Sequence, residues 1–261
     1  MAKKISGMDA AAAFDGTELV EVVQAGANRK GATGAFLPPG YIDGLKLKWV
    51  SGTALTVTTG AAYIKGLGRV LRVGADIAKA GLTLAANSWH HVYLFQGAGG
   101  AADIEIVATA PAAPYSGTAR AKTADDSRRY LGSVKTDGSG QVLQFVVDSS
   151  GYFRHTAGAI RCLANGKATA RTPASLSAAV PVTATAVLLT AINSDSAVLC
   201  NLGYASAISA NGGFFGLAPV ASSPGPIFIW TTDGNQNVDY AYNAAPTNGL
   251  YIDVLGFCVE R

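Results

Sequence analysis

Apolar and polar residues alternate along most of this chain with a period of two, the spacing that places successive side chains on opposite faces of a β-strand. Leu45-Lys46-Leu47-Lys48-Trp49-Val50 is the plainest case, with lysines between the first three apolar positions. Similar runs follow at residues 55–58, 61–64, 69–73, 90–95 and 103–107. Residues 129–137 and 142–147 read as a hairpin around Gly138-Ser139-Gly140. A second series covers 160–163, 168–172, 186–192, 197–200, 227–232, 238–242 and 250–257, with turns at Asp233-Gly234-Asn235 and Asn248-Gly249. No long segment of helical period stands beyond the Ala-rich opening, and no internal repeat of about 20–50 residues is visible. The pattern predicts an all-β fold.

Near the start, Leu19, Val20, Val22 and Val23 form a short β-type run with Glu18 and Glu21 interleaved, and Gly26-Ala27-Asn28 supplies a turn. A hairpin of this size is not stable alone, so the run is expected to dock on a partner. Pro38-Pro39-Gly40 cannot continue a helix and marks a stiff exit. The expected organisation is an extended segment and linker over 1–40, a β-rich module over 41–156, and a C-terminal antiparallel β-sandwich of jelly-roll type over 157–261.

Composition sharpens this picture. Only 14% of the 261 residues are charged and 31 are glycine, against roughly 25% charged in an average soluble chain. A surface this neutral has little to oppose self-association and is expected to be covered by copies of the chain or by an assembly. A net charge of +3 with dispersed basic residues argues against nucleic acid. Lys3-Lys4 is not followed by the apolar core of a signal peptide, and no segment is long and apolar enough to insert in a membrane. Synthesis and assembly in a cytoplasm are expected. Cys162, Cys200 and Cys258 read first as buried thiols, with a disulfide within or between chains left open; their spacing does not suit zinc.

Candidate chemistry is sparse. His90 and His91 are adjacent, so on a strand they point to opposite faces and cannot share a metal. His155 sits at the expected junction beside Tyr152 and Phe153. No Gly-x-Ser-x-Gly elbow marks a nucleophile. Asp125-Asp126 reads as a loop ion pair with the arginines that follow, and Asp195, Asp233, Asp239 and Asp253 are too scattered to define a carboxylate pair. Gly97-Ala98-Gly99-Gly100 and Asn211-Gly212-Gly213 lack the Lys-Ser/Thr of a phosphate loop. No catalytic residue, metal site or cofactor is assigned, and the chain is not expected to be an enzyme. Binding is better supported in the distal region. Trp230, Asp233, Asn235, Tyr240 and Tyr242 combine aromatic faces with amides and a carboxylate, which suits sugar rings, and they are the candidate receptor-binding residues. Tyr240 and Tyr242 lie two apart and share one face, so core packing competes for them.

Two stretches resemble a known family. Gly16-Thr17-Glu18-Leu19-Val20-Glu21-Val22-Val23-Gln24, with Gly26, Asn28, Arg29 and Lys30, resembles the N-terminal attachment segment of tailed-bacteriophage fibre and tail proteins. Trp89-His90-His91-Val92-Tyr93-Leu94-Phe95, then Thr109-Ala110-Pro111, Ala121-Lys122-Thr123 and Asp126-Ser127-Arg128-Arg129-Tyr130-Leu131-Gly132-Ser133-Val134, is similar to a module of phage tail-fibre and related virion proteins, over about Tyr41 to Thr156. The resemblance implies a homotrimeric virion fibre assembled in the host cytoplasm. It would dock through Leu19, Val20, Val22 and Val23 to other virion proteins of the tail, collar or head, with its C-terminal domain available for a host-surface glycan or protein. The alternative is a purely structural collar fibre, head fibre or capsid decoration protein. A glycan hydrolase would require specific carboxylates that turn over host polysaccharide.

Overall fold

The computed structural model describes residues 19–32, 37–203, 215–219, 227–231 and 235–261. Among these the fold is all-β, built from several antiparallel sheets with only two short 3-10 turns and no α-helix. The strand Leu19–Gln24 pairs with Ala27–Ala32 in a two-stranded sheet of its own. Ala25 (φ 52) and Gly26 (φ 75) form the turn, both left-handed, as the right-handed twist of a two-residue hairpin demands. Turn and strand partner thus lie one residue earlier than the Gly26-Ala27-Asn28 reading. Alanine is strained there where asparagine is not. Ala25→Asn is therefore expected to stabilise the hairpin by about 0.5–1 kcal/mol, read as slower amide hydrogen exchange at Val20 and Val22.

Residues 42–79 fold into two three-stranded sheets. Ile42–Gly44, Gly60–Ile64 and Arg69–Val73 form one; Leu47–Ser51, Ala54–Val57 and Ile77–Lys79 form the other. The alternation seen in the sequence is the burial pattern: Leu45, Leu47, Leu55 and Val57 are buried, and Lys46 and Lys48 are exposed. Gly44 and Gly60 face each other across the first sheet. A Cβ on Gly44 would meet the Thr59 carbonyl oxygen at 2.3 Å and one on Gly60 the Asp43 oxygen at 2.2 Å, so only glycine permits this approach. A four-stranded sheet follows, in the order Ala102–Val107, Trp89–Gln96, Asp125–Lys135, Ala121–Lys122.

The largest sheet crosses the boundary expected at 156/157. Its path runs Phe145–Val147, Tyr152–His155, Leu250–Val259, Ala184–Asn193, Ile227–Thr231, and Ile160–Gly166 also pairs with Leu250–Val259. Its first two strands come from the sequence assigned to the preceding module. The expected hairpin of 129–137 with 142–147 is correspondingly shortened. Thr136 bridges Val142 around a turn held by Asp137, whose side chain accepts from the backbone N–H of Ser139 and Gln141. The chain then turns away, because Phe145 packs against Phe153 at 5.4 Å. Thr172–Ser175, Asn237–Tyr242, Cys200–Gly203 and Phe215–Leu217 make the remaining four-stranded sheet. Pro173 is tolerated there because Thr172–Ser175 is an edge strand. One contiguous apolar core extends from Leu45 to Val259 and joins both halves.

Candidate functional site

The aromatic residues proposed for sugar contact lie inside. Trp230, Tyr240 and Tyr242 are 7%, 5% and 2% exposed and belong to the apolar core. This corrects their assignment as receptor-binding residues: a ring enclosed by neighbours offers no face to a sugar. Strand alternation is the cause. Trp230 points inward while Ile227 and Ile229 of the same strand point outward, 64% and 67% exposed. The Tyr242 hydroxyl donates to Asn193 Oδ1 at 2.9 Å, and Asn193 Nδ2 donates in turn to the carbonyls of Val198 and Leu217. That network orders the loop after Ala184–Asn193. Trp230 lies on the six-stranded sheet and the two tyrosines on the four-stranded one, so the set does not converge on one surface. Asn235 is exposed, and Asp233 lies outside the described residues.

At the N-terminus, Leu19, Glu21 and Val23 occupy one face of the hairpin, Val20 and Val22 the other. Leu19 and Val23 are 63% and 74% exposed, and Val20 and Val22 are half-buried. The four candidate docking residues are thus divided between two faces. Glu21 stands directly opposite Lys30, a favourable cross-strand charge arrangement.

The polar interior was not foreseen from the sequence. His91 Nδ1 lies 2.8 Å from Ser133 Oγ, its direct cross-strand partner. The Tyr130 hydroxyl lies 2.7 Å from the same Oγ and 2.6 Å from Thr183 Oγ1. Residues 130 and 133 would face opposite ways on a regular strand. A bulge between Tyr130 and Gly132 brings them to one side, and the glycine inside an apolar strand run was the available signal for it. Burial holds His91 neutral, lowering its pKa to about 4, with the adjacent His90 acting in the same direction. Ser133 has no solvent exposure, so in this conformation a substrate has no path to its hydroxyl. His155 is also held down by burial, its Nε2 3.3 Å from the Ala179 carbonyl. Trp89 donates its indole N–H to the Ser177 carbonyl at 2.9 Å. His155, Trp89 and Tyr130 therefore clamp the segment between Ser177 and Thr183, where the two halves of the core meet.

The described carboxylates singled out from the sequence each take a partner from their own surroundings. Asp126 pairs with Lys65 at 2.8 Å, and Asp125 accepts from Ser127 and approaches Arg128. Arg161 grips Asp253 with two bonds of 2.8 and 2.9 Å. Asp239 pairs with Arg171. Asp195 accepts the backbone N–H groups of Ala197, Val198, Thr247 and Asn248, which stabilise its charged form and lower its pKa to about 2. It staples two loops together. The three cysteines are free thiols, all pushed up by burial and so poor nucleophiles at neutral pH. Among the described residues no group of three His, Cys, Asp or Glu could hold a metal ion. Compared with known proteins, the chain matches no family model and no curated sequence.

Proposed function

We propose that this chain is a structural protein of a bacteriophage virion, a fibre subunit that docks by its N-terminal segment and projects its β-rich body from the particle. The observation that carries this reading is the hairpin Leu19–Gln24 with Ala27–Ala32, which among the described residues joins no larger sheet and exposes Leu19 and Val23. Two-stranded sheets are marginal in water. Such a hairpin gains order from a surface outside the chain, by strand addition along an open edge or by covering one of its faces. The resemblance of residues 16–30 and 89–134 to phage fibre proteins supports the same reading. So does the 14% charged fraction, which suits subunits that shield one another. The body is read as two sandwich-like modules and the assembly as a homotrimer, with the distal half available to a host surface.

One observation favours the second reading, a collar fibre, head fibre or decoration protein with no host contact. Of the five residues proposed to meet a receptor, Asn235 is the one exposed among those described.

Particles assembled with a chain lacking residues 1–39 are expected to lack the protein, while the truncated chain keeps the far-ultraviolet circular dichroism of its β-sheets. Incorporation of the truncated chain would remove the docking role. A stable monomer at micromolar concentration in sedimentation would remove the trimer. Host contact is tested by adsorption in the presence of saturating full-length protein. The full chain is needed because a fragment starting at Gly158 would lose the strands Phe145–Val147 and Tyr152–His155. Blocked adsorption supports a receptor-binding fibre, and unchanged adsorption supports the purely structural protein.

A further inference from the structure

Asparagine followed by glycine is the dipeptide most open to spontaneous deamidation, because glycine has no side chain to hinder its own backbone nitrogen. The chain holds three such pairs, Asn165-Gly166, Asn211-Gly212 and Asn248-Gly249. The second lies outside the described residues, and the first and third pack against each other. The Gly249 N–H donates to Asn165 Oδ1 at 2.9 Å. A Cβ on Gly249 would meet the Asn165 carbonyl carbon at 2.5 Å and the carbonyl oxygens of Asn165 and Gly166 at 2.7 Å, so the two backbones are in close contact. The main chain on either side is tied as well. The N–H groups of Thr247 and Asn248 donate to Asp195 Oδ2 at 2.7 and 3.0 Å, and Lys167 Nζ donates to the Thr247 carbonyl at 2.6 Å. The Gly249 carbonyl accepts from the Ser194 N–H at 3.2 Å. Asn248 itself is exposed, and the strand Leu250–Val259 begins just after Gly249.

Deamidation requires the Gly249 nitrogen to lose its proton and attack Asn248 Cγ. The N–Cγ bond forms, the Cγ–Nδ2 bond breaks and ammonia leaves with that proton. Water then opens the cyclic imide to aspartate or isoaspartate. The reaction thus needs a free Gly249 N–H and a main chain able to rotate toward Cγ, and the contacts around Gly249 deny it both. We propose that Asn248 is a deamidation site that Asn165 keeps closed, by holding the Gly249 N–H and walling in the glycine. When the site opens, a new carboxylate arises beside Asp195, whose Oδ2 already holds the Asn248 N–H. Isoaspartate also adds a carbon to the main chain where Leu250–Val259 enters the largest sheet. The loop staple made by Asp195 is then lost.

The test is peptide mapping by mass spectrometry of the full chain aged at neutral pH, reading deamidation at Asn248. The folded parent is expected to lose Asn248 at least about 10-fold more slowly than the same chain unfolded in guanidinium chloride, because reaction waits on local opening. Asn165→Gly keeps the left-handed backbone of that position (φ 55) and removes the acceptor. It is expected to speed the loss of Asn248 about 5-fold in the folded protein. Asn165→Asp supplies an acceptor again and is expected to return the parent rate. Amide hydrogen exchange at Gly249 in the parent is expected to be slow, a measurement that depends on no variant folding. Any of four results would overturn the proposal: equal loss in folded and unfolded parent, fast exchange at Gly249, a parent-like rate in Asn165→Gly, or a rate in Asn165→Asp as high as in Asn165→Gly.

Discussion

Replacing Phe257 with alanine is expected to destabilise the fold by about 3–5 kcal/mol, a large share of the roughly 5–15 kcal/mol that holds a typical domain together. Phe257 is 2% exposed and sits where three elements meet. Its ring stacks on Phe153 at 5.2 Å with an interplanar angle of 5°, takes the edge of Trp89 at 5.5 Å and lies 5.8 Å from His155. Phe153 continues the stack to Phe145. Truncation would leave a cavity that the opposed strands Tyr152–His155 and Leu250–Val259 cannot close, because Gly256 already brings them into tight contact. A Cβ there would meet the Phe153 oxygen at 2.3 Å. Urea denaturation measures the loss, and the near-ultraviolet circular dichroism of Trp89 should weaken with it. A loss below about 1 kcal/mol would mean that the two halves of the core are not joined through this ring.

The second large effect is acid sensitivity. His91 has an ordinary pKa of 6.5 and a folded value of about 4. The folded state therefore binds fewer protons than the unfolded chain between these values, and stability falls as the pH falls. The contribution is complete above about pH 6.5, declines by about 1.4 kcal/mol per pH unit, and is lost by about pH 4, in all about 3 kcal/mol. His155 is shifted in the same direction and adds to the decline. A second stage follows for Asp195: its lowered pKa of about 2 adds stability above the usual carboxylate range, and that is lost as the pH falls toward 2. Denaturation midpoints measured from pH 7 to pH 4 should show the first stage, and His91→Gln should flatten it. An unchanged slope in that variant would assign the acid limb to other groups.

The strand positions were legible wherever burial follows sequence periodicity. Leu47–Ser51, Arg69–Val73, Trp89–Gln96 and Asn237–Tyr242 lie within a residue or two of the runs that predict them. Tyr152–His155 was read as a junction because four residues do not establish a period, and its place in the largest sheet is set by a partner about a hundred residues away. The aromatic candidates failed for a related reason. Trp, Tyr and amide residues have the same composition in a binding face and in a core with polar tips, and only the parity of each strand separates the two. The Tyr130–Ser133 contact needed a bulge, which reverses parity, so a regular alternation places those hydroxyls on opposite sides.

The late arrival of Leu250–Val259 sets the order in which the chain can fold during synthesis. Phe153 waits for Phe257, which lies 104 positions later by their numbering. At about 5–20 residues per second that is a delay of roughly 5–20 s. Throughout it Phe145, Phe153 and the edge of Tyr152–His155 lack their cover. Nascent chains are most exposed to misassociation in that interval, and slower initiation or a lower temperature during expression should raise the soluble yield by reducing encounters between them.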